Sequence, residues 1–163
     1  RLSSDLFVLF ATICLIVGAA IYIDSYVNHK TTSTSNVYDQ NTKLANEAYA
    51  KGEKSQALAY ARKAFANKPN NQNAIGFVAS LTTNHAESQK LYARMLALYI
   101  DSSKSRSPTP IDYWAEANLA EKAGDITQAK QYYQKSIDTT AHSSNYSYKN
   151  ISEQSQIALK RLQ

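Results

Sequence analysis

Cysteine occurs once in this 163-residue chain, proline three times, histidine three times and glycine four times. Cys14 has no second cysteine to pair with, so no intrachain disulfide staples the fold, and inside an apolar run it acts as a small apolar residue. So few glycines leave no phosphate-cradling loop, and no GxSxG elbow occurs. His29, His85 and His142 are far apart, none beside a Cys, His or carboxylate at metal-ligand spacing. Period-two alternation of apolar and polar residues, the mark of a half-buried strand, is absent. These absences predict a non-enzymatic, all-α protein with no catalytic residue, cofactor or metal site.

Charge of one sign is also scarce. The formal net charge is +5, with Lys51, Lys54, Arg62, Lys63 and Lys68 interspersed with Glu47 and Glu53. A nucleic-acid footprint gathers its cations on one face, so no nucleic-acid partner is expected. The expected partners are other proteins or copies of the chain itself.

What the chain does have is one long apolar run. Residues 6–23 carry no charge, and as a helix they span about 27 Å, close to the thickness of a bilayer's hydrocarbon core. Ser3, Ser4 and Asp5 precede the run as candidate helix caps, and Tyr22 and Tyr26 fall where an interfacial aromatic belt lies. The division expected is residues 1–28 as an apolar N-terminal helix, 29–37 as a polar linker and 38–163 as a helical domain. Its Ser-, Thr- and Asn-rich composition suits the extracytoplasmic side of a membrane crossed once.

The helical domain repeats itself. Shifted by 72 residues, Asn46 meets Asn118, Ala48 meets Ala120, Gly52 meets Gly124, Gln56 meets Gln128, Ala57 meets Ala129, Tyr60 meets Tyr132 and Lys63 meets Lys135. An echo at twice a 34 to 36 residue unit predicts stacked helix-turn-helix repeats. The first pair is expected up to Pro69 with its break at Gly52, the second over 73–100 with a turn at 83–85, and the third over 111–138 hinged at Gly124. The stretches 102–110 and 139–149 read as polar connections, and 150–162 as a capping helix with Ile151, Ala158, Leu159 and Leu162 on one stripe.

Leu44, Ala45, Gly52, Ala57, Tyr60, Ala64 and Pro69, with Ala117, Ala120, Gly124, Ala129, Tyr132 and Tyr133 as a second copy, resemble tetratricopeptide repeats over residues 38–138. The middle unit lacks the turn glycine, and no proline closes the third. The resemblance implies about three helical hairpins plus a C-terminal cap, a contact surface rather than a catalyst, and a concave groove lined by the first helix of each pair. Carried onto this sequence, Thr42, Asn46 and Tyr49 from one unit and Trp114, Asn118 and Glu121 from another face that groove. Asn46 and Asn118 are then placed to hydrogen-bond a peptide backbone, and Trp114 to anchor an apolar side chain; packing between helices is the alternative role for Trp114 and Tyr49.

The N-terminal segment has a second reading. Residues 19–28 are similar to the end of the apolar half of type IV pilin helices, and Asp5 falls where mature pilins carry an acidic residue that neutralises a neighbour's terminal amine. On this reading residues 6–23 form a filament core with the repeat domain outside, Asp5 serves assembly, and Arg1 is a processed terminus. On the other, residues 6–23 are a bilayer anchor and Asp5 a helix cap.

Overall fold

A computed structural model describes residues 35–141 and 145–163. Asp5 and the apolar run 6–23, with both readings of them, lie outside the described residues. Among those described, no helix is long and apolar enough to cross a membrane.

The described chain is all helix and turn. Helix α1 covers 35–50, followed by α2 (Lys54–Asn67), α3 (Gln72–Leu81), α4 (His85–Ser103), α5 (Pro110–Ala123), α6 (Ile126–Thr140) and α7 (Tyr146–Arg161). Three consecutive antiparallel pairs and a closing helix result, the arrangement the resemblance implied. Each of α2 to α6 packs on the next, and α5 also touches α7.

The first and third hairpins are built by the same bonds. Gly52 and Gly124 hold φ of 80° and 86°, a left-handed conformation that costs a side-chain-bearing residue about 1–2 kcal/mol. Across them the N–H of Glu53 donates to Ala48 O and that of Asp125 to Ala120 O, each at 2.9 Å. Ala57 and Ala129, both fully buried, sit under the crossing helices. The ammonium groups of Lys63 and Lys135 lie over the rings of Tyr60 and Tyr132, each at 5.4 Å. The echo in sequence is thus an echo in turn geometry.

The middle hairpin turns without glycine. Thr82 is extended, and the Asn84 side chain accepts from the N–H of Glu87, capping α4. Glu87 accepts from the Thr82 hydroxyl at 2.7 Å and from Arg62 of α2, which ties the turn to the preceding hairpin. Asx and hydroxyl bonds here do what a left-handed glycine does elsewhere.

Two polar stretches are more helical than their composition suggests. Helix α4 runs to Ser103, whose hydroxyl donates to Ile100 O, and α6 runs to Thr140, whose hydroxyl donates to Ser136 O. Hydroxyls that bond back into the preceding turn let Ser and Thr extend a helix end. Helix α5 starts at Pro110, where a missing N–H does no harm, behind a capping box of Thr109 and Asp112. Asp112 is buried and accepts from Tyr99, from both terminal nitrogens of Arg106, and from the N–H and hydroxyl of Thr109. The loop the sequence marks by composition is pinned by this one carboxylate.

Alanine makes the core. Ala45, Ala61 and Val78 join α1, α2 and α3; Ala117, Ala120, Ala129 and Ala158 join α5, α6 and α7 around buried Tyr133. Small side chains let helices approach closely, and the aromatic fills the remaining space.

Candidate functional site

Helices α1 and α3 lie beside each other with an open cleft of about 520 Å³ between them. Tyr38, Thr42 and Asn46 come from α1 at intervals of four, and Asn73, Gly76, Phe77 and Ser80 from one face of α3. Tyr38 is locked in place: its hydroxyl donates to Asn71 Oδ1 at 3.0 Å, and the Lys68 ammonium lies over its ring at 4.4 Å. The hydroxyls of Thr42 and Ser80 donate to Tyr38 O and Phe77 O at 2.9 Å, so both keep only acceptor capacity. Asn46 and Asn73 are exposed, and their amides have no hydrogen-bond partner among the described residues.

Gly76 opens the floor of the cleft. A Cβ there would stand 3.2 Å from Met95 Sδ and 3.3 Å from Met95 Cε, so Met95 of α4 reaches the cleft under a backbone that carries no side chain. Tyr49, 54% exposed, meets the Phe77 ring edge-on at 6.1 Å and extends the aromatic wall. The lining includes no Asp, Glu, Lys, Arg or His.

The other three predicted groove residues lie elsewhere. Trp114 and Asn118 border a smaller recess of about 220 Å³ between α5 and α7, with Gln154, Ile157 and Arg161 on its far side. Trp114 also packs against the core, and Asn118 donates its amide to Trp114 O at 2.7 Å, which leaves its oxygen free. Glu121 accepts from the Tyr133 hydroxyl at 3.1 Å and from Arg161 Nη2 at 2.7 Å. Burial first, and then the Glu121 carboxylate, push the Tyr133 phenol up to about 12. The two recesses share no lining residue.

The sequence reading missed the α3 side of the cleft and Met95. The middle unit carries the weakest repeat signature, and its one legible signal was Gly76 inside an apolar helix, a position where glycine is unfavourable without a packing reason. Among the described residues, no group of three or more His, Cys, Asp or Glu is placed to hold a metal ion.

In sequence, the chain matches no family model and no curated protein. Solved structures resemble it in fold. The first TPR of Spaghetti (RPAP3), bound to an HSP90 peptide, is 16% identical over 77% of this chain and 95% of its own, with a TM-score of 0.48. The N-terminal domain of stress-induced protein-1 from C. elegans is 15% identical over 76% and 97%, at 0.47. PcrH in complex with the chaperone-binding region of PopD is 13% identical over 78% and 92%, at 0.44. At such scores these likenesses add no weight of their own, and the repeat architecture rests on the hairpins and alanine contacts.

Proposed function

We propose that residues 38–163 are a non-enzymatic protein-binding module that holds a segment of a partner protein in the α1–α3 cleft. The observation that carries this reading is a cleft left open by the described residues, whose rim offers two amides, Asn46 and Asn73, unpaired among those residues, beside exposed Tyr49 and half-buried Phe77. Amides of this kind bond a peptide main chain, and aromatics flank its side chains. The charge-free run 6–23 supports a single bilayer anchor, and the Ser-, Thr- and Asn-rich composition of the module supports a place for it on the extracytoplasmic side.

A photo-activatable cross-linker at Ser80 in the full chain tests the binding role. Partner adducts should form there and not from exposed Gln134 on α6, and the double substitution Thr42→Arg, Asn73→Arg should abolish them. Adducts indifferent to that substitution would sink the cleft as the contact surface. The anchor predicts a chain that stays with membranes after alkaline carbonate; recovery in sheared surface fibres, lost on Asp5→Ala, would replace it with the filament reading.

A further inference from the structure

We propose that the partner segment is uncharged and seats one apolar side chain above Gly76, against the thioether of Met95; this rests on the binding role just proposed for the cleft.

Charge is the first argument. An ionised side chain entering the cleft loses hydration and finds no countercharge, since no charged residue lines it. Cations at its ends are engaged: Lys68 lies over the Tyr38 ring and donates to Ser35 Oγ at 3.4 Å. Arg94 donates to Asn70 Oδ1 at 2.8 Å and lies over the Phe65 ring at 5.5 Å. Neither side chain lines the cleft.

Shape is the second. Glycine inside a helix costs about 1 kcal/mol relative to alanine. At position 76 its missing Cβ leaves the cleft floor to Met95, the chain's only methionine. A thioether on a flexible stem adapts to whatever apolar group rests on it. The amides of Asn46 on one bank and Asn73 on the other then meet main-chain groups flanking that anchor, while Phe77 and Tyr49 close one side.

The test uses the full chain in detergent on an array of immobilised nonapeptides that differ in one central residue: Leu, Met, Phe, Asp, Glu or Lys. Peptides with the apolar residue should be retained at least about tenfold over their charged counterparts, the scale of one desolvated group. Gly76→Val, which fills the floor, should lower retention by a similar factor, and Met95→Leu should keep it within about threefold. Helical circular dichroism reports whether Gly76→Val is folded. Should it not be, Asn46→Asp, at an exposed position, provides the second reading by shifting preference toward the Lys peptides. Preference for acidic or basic peptides by the unaltered chain overturns the inference and leaves the binding role standing. So does unchanged retention by a folded Gly76→Val, or, with that variant unfolded, an Asn46→Asp preference that does not move. Retention of no peptide class overturns the binding role with it.

Discussion

Arg161, near the end of α7, donates from Nη2 to both carboxylate oxygens of Glu121 on α5, each at 2.7 Å. The pair bolts the closing helix onto the third hairpin, but Arg161 is 61% exposed, so water and salt weaken it. Arg161→Ala should lower unfolding free energy by less than about 1 kcal/mol. Glu121→Ala should cost about 1–3 kcal/mol, because it also strips the acceptor from the buried Tyr133 hydroxyl. Urea titration of both variants checks the order; equal losses would mean that Tyr133 finds another acceptor.

The two turn glycines make a matched pair for mutation. Gly52→Ala meets nothing within 4 Å, so its expected loss of about 1–2 kcal/mol is backbone strain alone. Gly124→Ala carries the same strain and places its Cβ 2.5 Å from Gln89 Nε2, which has to swing aside. Thermal melts should show the second variant lower, and Gln89→Ala should remove the difference.

Two carboxylates one turn apart on α5 respond to pH in opposite directions. Arg106, with Thr109 and Tyr99, holds Asp112 well below the usual carboxylate range despite burial. Its folded value lies under its unfolded one, so it stabilises the fold at neutral pH and loses that contribution below about pH 4. Asp112→Asn should therefore cost about 2 kcal/mol or more at pH 7, and progressively less in acid.

Glu116 behaves the other way. Burial, and then the negative charge of Asp112, push it up, with Lys135 offsetting part of this, and no hydrogen bond or ion pair holds its carboxylate among the described residues. A folded value above the unfolded one means a penalty that is absent in acid and grows as pH rises above about 4. Glu116→Gln should raise the Tm at pH 7 and leave it unchanged near pH 3. A Tm that falls at neutral pH would show the carboxylate to be bonded.

Ser155 on α7 is fully buried, and its hydroxyl has no hydrogen-bond partner among the described residues. Ser155→Ala removes an unmet polar atom without opening a cavity, and should stabilise the protein by about 1 kcal/mol in the same urea titration. A loss of that size would reveal a partner for the hydroxyl.

Local signals carried the hairpins into view before any contact was known. Gly52, Gly124 and the alanines that recur with them report turns and helix faces through spacing along the chain, and the bonds made across Gly52 and Gly124 match. The middle hairpin was legible only as an apolar periodicity, because its turn depends on Thr82, Asn84 and Glu87 bonding to one another and to Arg62. The candidate cleft was legible on one bank. Thr42 and Asn46 follow from the helical period of α1, whereas Asn73, Gly76 and Met95 belong to the site only because α3 and α4 pack against the first hairpin.

The amino-acid sequence by itself determined an all-helical repeat domain, since helix propensity, left-handed glycines and capping act over a few residues. Tertiary packing alone decided that residues with one role in the repeat part company: Thr42 and Asn46 border the cleft with α3, Trp114 and Asn118 a recess with α7, and Glu121 an ion pair. Identical positions in a repeat acquire different surroundings because each helix takes its surface from whichever neighbour packs against it, and the third hairpin's neighbour is the cap.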